Sequence, residues 1–365
     1  MNLKKKLQFF FKFFFRGIFK IIYGKIYYVE NPDNVYITLV NSLGIINFFN
    51  EKYRVYKINN GRVYTDNVSN VAIISGDKIV KNASYQQIKG ELKDASHNIT
   101  LEIGTPRIKK YYKGRVLSLA QGASGHTNYC HWLLDILPKI KLYNEIYKLS
   151  DLKYIYLNKL NNFQKESFNL LNLDHIEIID SNLKRHIQSN ELIATDHPNY
   201  YKGFIMEEHK NIPTWIIKWL RDCFLKKSGI MPIYDKIFID RSGSLSKHCQ
   251  IIDHQEALEF LEKMNFKSIK LENLSFANQI HLFQNSKVIV APHGAGLANL
   301  IFASENTKVL EIRPKNHPNE VYKKISQINN LEYNLYSTPN LKNLNESGDI
   351  KVDLGTLKNI INKMF

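Results

Sequence analysis

The segment VIVAPHGAGLANLIFA, residues 288–303, reads as a buried strand that breaks into a glycine turn and restarts as a helix. Val288, Ile289 and Val290 make a short β-branched run, and Pro292, which has no backbone donor, stops it. His293-Gly294-Ala295-Gly296 then turns the chain. Two glycines permit a close approach of ligand to backbone that a Cβ would block. A helix starting near Leu297 would add unpaired N–H groups and the positive end of its dipole. Such a turn suits a phosphate. The same pattern also serves as a plain strand-to-helix connection, so its neighbours must decide.

Around it the chain alternates regularly. Strands are expected at 236–240, 266–271, 287–291 and 307–312, with helices at 254–264, 275–285, 296–303 and 318–329 between and after them. In a doubly wound unit of this kind the ligand lies outside the carboxyl ends of the strands. Three loops share that edge: Arg241-Ser242-Gly243-Ser244, 292–296 and Glu311 to Arg313. Arg241 can hold phosphate in a bidentate fork, Ser242 and Ser244 can donate hydroxyl bonds, and Glu311 can accept from ribose hydroxyls. Neither an Asp-x-Asp pair nor a GxGxxG fingerprint occurs. Protein cations must therefore offset a leaving diphosphate, and dinucleotide redox chemistry is disfavoured.

The first half starts β-rich, with VYITLV (35–40), NVAIIS (70–75) and RVLSLA (115–120) between Asn, Gly and Asp turns. After Gly125 it changes to helix–strand alternation: helices at 130–148 and 162–172, strands at 153–157 and 175–179. A helix at 213–227 then precedes a linker at 229–232. HTNYCHWLLDILPKIKLY, residues 126–143, places His131 and Asp135 four positions apart, on one helix face. A carboxylate beside an imidazole raises its basicity, which suits a general base; a buried structural pair is the alternative. Zinc held by His126, Cys130 and His131 would lack a fourth ligand.

A chain of 365 residues with 44% apolar content is long enough for two cores. Its three cysteines, Cys130, Cys223 and Cys249, have no metal or disulfide spacing. Of the net charge of +16, seven charges precede Glu30, the first acidic residue. Between those cations lie Phe9, Phe10, Phe11, Phe13, Phe14, Phe15 and Phe19. Lys12, Arg16 and Lys20 interrupt any membrane span but form one polar stripe on a helix, the outline of an in-plane membrane helix. A helix packed on its own domain or on a second copy is the alternative. So many phenylalanines beside the lysines favour lipid over nucleic acid.

NYCHWLLDILPK, IFIDRSGSLSKH and LSFANQIHLFQNSKVIVAPHGAGLANLIFASENTKVLEI, in this order and spacing, resemble glycosyltransferase family 61 over residues 115–330. The resemblance implies an α/β, GT-B-like fold, two Rossmann-like domains facing a cleft. It also implies metal-independent, inverting transfer from a nucleotide sugar, with no cofactor. Carried over, Arg241, Ser242, His293, Gly294 and Gly296 hold the donor diphosphate; Ala295 and Lys247 are expected beside them, although Lys247-His248 stands where the family commonly has paired arginines, and Asn128 and Trp132 are expected with His131 and Asp135 on the acceptor side. Asp240 departs from the family pattern and would repel phosphate unless turned away.

The resulting expectation has a leader at 1–28, an acceptor domain at 29–228, a donor domain at 229–340 and a tail or helix at 341–365. The activity expected is glycosyl transfer from a UDP-, GDP- or CMP-linked donor to a lipid-linked acceptor. The enzyme would work on the cytoplasmic face of a bacterial membrane in capsule or lipopolysaccharide assembly, as a monomer or homodimer. A sugar-nucleotide epimerase, a pyruvyl-type transferase and a non-catalytic scaffold are the competing readings.

Overall fold

The structure, a computed structural model, describes residues 3–46, 51–66, 69–120, 122, 127–200, 203–244, 248–339 and 348–365. The chain divides into two compact units, residues 1–161 with 173–208 and residues 162–172 with 209–365.

The second unit is built on a parallel sheet of Lys236–Ile239, Lys267–Ile269, Val288–Pro292, Lys308–Pro314 and Glu332–Thr338. Numbered along the chain, the strands lie in the order second, first, third, fourth, fifth. The sheet therefore reverses its progression between Lys236–Ile239 and Val288–Pro292, which pair directly, and a crevice at such a reversal is where open α/β sheets hold ligands. The loops leaving these two strands are 240–244 and 293–296. Phe238, Val290, Leu310 and Ile312 pack with Ala257 and Leu261 of helix His254–Lys263 and Leu357 and Ile361 of helix Leu354–Lys363. A second nucleus is aromatic: Phe276 meets Phe224 edge-on at 5.1 Å and Phe302 at 5.9 Å.

Three features of this unit correct the sequence reading. The domain boundary falls at 208/209 rather than at the 229–232 break, because helix Thr214–Phe224 buries Ile217, Leu220 and Phe224 within the second unit. Residues 162–172 belong there too. The region read as a tail or helix carries the helix Leu354–Lys363, which joins this core. The strand Glu332–Thr338 adds a fifth member that the expected helix to 329 and the following polar residues had concealed.

The segment after the glycine turn, Ala295–Phe302, is a 3₁₀ helix rather than an α-helix. Runs of this length are uncommon, because the tighter ladder bonds poorly. Here side chains serve its last carbonyls: Asn329 Nδ2 donates to Leu300 O and Ile301 O at 2.9 Å each. Arg221 Nη1 donates to Ile301 O at 2.6 Å and to Ala303 O at 2.8 Å.

The first unit is a mixed sheet centred on His186–Thr195, which pairs antiparallel with Glu51–Asn59 and Arg62–Tyr64 and parallel with Lys110–Ser118. Tyr154–Leu157 and Glu177–Asp180 extend the parallel side. The α/β class holds, but a Rossmann-like arrangement is confined to this wing; the remaining strand pairs are mostly antiparallel. The central strand escaped the sequence reading because Gln188, Ser189, Asn190 and Glu191 break its apolar run. Tyr56, Val63, Ile73, Val116, Ile187 and Leu192 share its core.

The leader is an α-helix, Leu3–Tyr23. Its end is anchored: Tyr23 meets His186 edge-on at 5.0 Å, stacks on Phe19 at 5.7 Å, and accepts the Lys109 N–H at 3.1 Å. Phe10, Phe11, Phe13, Phe14 and Phe15 stay exposed. Among the described residues no helix is long and apolar enough to cross a membrane.

Phe302 is wholly buried between the rings of Phe224 and Phe276. Phe302→Ala is predicted to cost about 3–5 kcal/mol. Urea denaturation should show that loss in the second unit; a change below about 1 kcal/mol would mean this nucleus does not hold the unit together.

Candidate functional site

Strand Lys236–Ile239 ends at Asp240, whose carboxylate is engaged by its neighbours. Its Oδ1 accepts the Ser242 N–H at 2.7 Å and lies 3.3 Å from His254 Nε2, while Oδ2 lies 3.7 Å from Lys270 Nζ. Asp240 thereby shapes the turn that Ser244 N–H closes on Arg241 O at 3.0 Å. Arg241 folds back across the crevice, its Nη1 donating to His293 O and, at 3.2 Å, to His248 O. Burial pulls the guanidinium down from its ordinary pKa, yet an arginine keeps its proton at any physiological pH.

The glycines now have distinct duties. A Cβ on Gly294 would overlap Arg241 Cζ, so this position must be glycine for the guanidinium to lie against the turn. A Cβ on Gly296 would come 2.6 Å from Leu271 Cδ1, a softer limit. Arg241, Ser244, Gly294 and Gly296 line a hollow of about 90 Å³, with Asp240 and Glu272 also on its wall. Pockets for whole ligands span about 300–1,000 Å³, so this hollow has the size of a subsite for one small group. Ala295 and Gly296 open the 3₁₀ helix, where the first N–H groups have no partner within the helix. Ser242 lies exposed on the rim. Lys247 lies outside the described residues, as does His126 of the zinc alternative.

Glu311 needs correction. It is fully buried, and both carboxylate oxygens are engaged, Oε1 with His293 Nδ1 at 2.5 Å and Oε2 with the Tyr333 hydroxyl at 2.6 Å. It cannot meet a ribose. Its work is to fix the His293 ring, with the proton on Nδ1 and Nε2 at the opposite edge. His317 packs 4.0 Å from His293, centroid to centroid, and Tyr322 5.1 Å. Burial, with help from His293, Arg313 and His248, lowers His317 to about 3, so it is neutral at pH 7. The sequence reading missed this cluster because its members come from separate loops.

In the first unit His131 Nδ1 meets Asp135 Oδ2 at 2.6 Å, as the four-residue spacing predicts. The helix between them is not regular: Trp132–Ile136 is a π-helical turn, closed by Leu137 N–H on Trp132 O. Pro138 follows directly, and a proline inside a helix removes the bond to the carbonyl four residues back, which favours local widening. Asn128 caps this helix, its Oδ1 accepting from Cys130 N at 2.9 Å and His131 N at 3.3 Å, so it is spent on starting the helix. Trp132 is completely buried and offers no ring face to an acceptor. Both were expected on the acceptor side; both act in the scaffold.

Three residues absent from the sequence reading surround the pair. Lys139, one turn beyond Asp135, is buried, donates to Ala120 O at 3.3 Å, and is pushed down by burial to about 7 against the pull of Asp135 and Asp196. Asp196 accepts the Tyr56 hydroxyl at 2.5 Å and the Arg54 N–H at 2.8 Å. His197 is lowered by burial to about 4. Asp196 and His197 directly follow the carboxyl end of His186–Thr195, a position that would have marked them had the strand been recognised.

Two predictions follow from the geometry. Gly294→Ala should cost about 1–3 kcal/mol by overpacking against Arg241. The double variant with Arg241→Ala should lose less than the sum of the single losses in urea denaturation; additive losses would mean the two residues do not press on each other. The second concerns acid. His197 stays neutral when folded but takes a proton near pH 6.5 when unfolded, so between pH 6.5 and about 4 the unfolded chain binds more protons and stability falls with pH. For this buried ring the loss at pH 4 is about 3 kcal/mol. His197→Gln should flatten that part of the stability–pH curve, and an unchanged slope would refute the assignment.

Comparison with known proteins gives the geometry its context. The family model described as Glycosyltransferase 61 matches residues 129–310, which run from the His131 helix through the glycine turn to the fourth strand of the second unit. An EGF domain-specific O-linked N-acetylglucosamine transferase of Drosophila melanogaster is 27% identical over 113 residues, covering 30% of this chain and 22% of that protein. Beta-1,2-xylosyltransferase RCN11 of Oryza sativa subsp. japonica is 31% identical over 77 residues, covering 21% of this chain and 14% of that protein. The chain thus matches about a fifth or less of the length of these curated relatives, both eukaryotic. With the turn, its arginine and the His131 helix all inside the matched region, the chain belongs to the glycosyltransferase 61 family.

Proposed function

We propose that this chain moves a sugar from a nucleotide-sugar donor to a hydroxyl group of a glycan acceptor, with inversion at the anomeric carbon and without a metal. The observation that carries the proposal is the cationic turn at the strand-order reversal of the second unit, where Arg241 lies against Gly294 and His293 is oriented by Glu311. The donor diphosphate binds there. In the first unit His131, held by Asp135, takes the proton from the acceptor hydroxyl on Nε2. The hydroxyl oxygen forms its bond to the anomeric carbon as the carbon–phosphate-oxygen bond breaks. The electron pair of that bond leaves with the nucleotide diphosphate, whose charge Arg241 and the backbone N–H groups of the turn stabilise. A GT-B-like arrangement of donor and acceptor units is part of this proposal.

The relatives are named for transfer of two different sugars, N-acetylglucosamine and xylose, which favours transfer over the epimerase, pyruvyl-transferase and scaffold readings while leaving the donor open among UDP-, GDP- and CMP-linked sugars. The exposed phenylalanines of the leader favour work at a membrane surface on a lipid-linked acceptor, as in bacterial capsule or lipopolysaccharide assembly on the cytoplasmic face. A second copy covering the same face is the competing arrangement.

UDP, GDP or CMP at about a hundred times its dissociation constant should stabilise the chain by roughly 2.7 kcal/mol in a thermal-shift assay. The shift is expected to survive EDTA and to vanish in Arg241→Ala. His131→Ala should keep nucleotide binding but lose roughly 10²–10⁴-fold in turnover. A shift that needs metal, or full turnover by the His131 variant, would overturn the mechanism. Replacing Phe10, Phe13 and Phe14 by Ser should abolish flotation with anionic vesicles; unchanged flotation would remove the leader from membrane binding.

A further inference from the structure

The first unit holds a pocket of about 550 Å³ that the scheme above does not use. Its size lies within the roughly 300–1,000 Å³ of pockets that enclose small ligands. One wall is aromatic: the Tyr85 ring sits 5.3 Å from Tyr200 and 5.8 Å from His197. The floor is Asp196, fixed by the Tyr56 hydroxyl and the Arg54 N–H.

His197 supplies the decisive detail. Its Nδ1 accepts the Asn199 N–H at 3.2 Å, so in the neutral ring the proton sits on Nε2. The ring is neutral at pH 7, since burial holds it at about 4. Among the described residues Nε2 finds no hydrogen-bond partner, in a side chain that lines the pocket and is 3% exposed. A ligand oxygen in the pocket can accept from this N–H.

Charge selects the ligand. The lining holds the carboxylates of Glu30, Asp94 and Asp196 against the cations of Arg54 and Lys81, and Lys81 is already paired with Glu30 at 2.9 Å. This excess of negative charge disfavours phosphate. A neutral polyhydroxylated ring satisfies every side: hydroxyls donate to the carboxylates, one oxygen accepts from His197, and the C–H face covers a tyrosine ring. The pocket also shares an electrostatic neighbourhood with the proposed base, since His197 feels the charges of Asp135 and His131.

We infer that this pocket is the acceptor subsite and binds an uncharged sugar residue, its ring against Tyr200 and one of its oxygens accepting from His197 Nε2. The word acceptor rests on the transferase reading above; the binding of a sugar does not.

Saturation-transfer NMR on the full chain, with methyl β-D-glucopyranoside, methyl β-D-galactopyranoside and methyl N-acetyl-β-D-glucosaminide as probes, tests it. At least one probe should receive saturation, strongest on its ring C–H protons. Tyr200→Ala should weaken binding at least about tenfold, the loss expected when stacking and burial at one aromatic ring are removed. Tyr200→Phe should retain binding, and Arg241→Ala should leave it unchanged. Should Tyr200→Ala fail to fold, Tyr200→Leu carries the same expectation without the aromatic face. No saturation of any probe, or saturation indifferent to Tyr200, overturns the assignment. If nucleotides stabilise the chain while no glycoside binds, the subsite falls and the transferase reading stands. If a glycoside binds but no nucleotide does, sugar binding stands and the transferase reading falls.

Discussion

The guanidinium of Arg241 lies flat against a stretch of backbone that carries no side chain, and much of the second unit is arranged so that it can. The side chain must cross from the loop after one strand to the loop after its neighbour, which requires those strands to be adjacent although two α-helices and a strand intervene in sequence. Reversed strand order provides this. Gly294 provides the space, Asp240 bends the turn that launches the arginine, and Glu311 fixes the histidine whose carbonyl receives it. A cation held by carbonyl oxygens needs no rearrangement to meet an incoming anion. Such preorganisation is what makes electrostatic stabilisation effective in a site that excludes water.

The second unit was legible in sequence because parallel strands buried on both faces read as continuous apolar runs. The run at 288–292 fixed the strand, Pro292 and the two glycines fixed the turn, and the alternation around them fixed the class. Side-chain partnerships were not legible. Glu311 reads as a polar group at a strand end, and only the fold reveals Tyr333 and His293 occupying it. The 3₁₀ form of Ala295–Phe302 depends on Asn329 and Arg221, which are remote in sequence. In the first unit the four-residue spacing of His131 and Asp135 sufficed to pair them. Lys139, Asp196 and His197 stayed hidden because the strand that delivers two of them has a polar middle.

The helix carrying His131 and Asp135 departs from regular geometry between these two residues. A π-helical turn widens the backbone between the two residues and the proline beyond them. His131, Asp135 and Lys139 succeed one another along this helix, and a carboxylate between an imidazole and a buried ammonium is held from both sides. The unusual turn is stable because its surroundings are: Trp132, Leu133, Leu134 and Ile136 are all buried.

The core of the second unit has a consequence for how the chain is made. Its apolar nucleus draws on Leu357 and Ile361, while residues 162–172, which belong to the same unit, come off the ribosome before the last strand of the first unit is complete. Domains tend to fold as units in the order of their synthesis. Here the second unit cannot close until helix Leu354–Lys363 has been synthesised. The 162–172 segment must meanwhile wait, detached from its partners, while the 209–353 region emerges. The first unit can form early; the turn that holds Arg241 gains its full support only once residues 354–363 have been made.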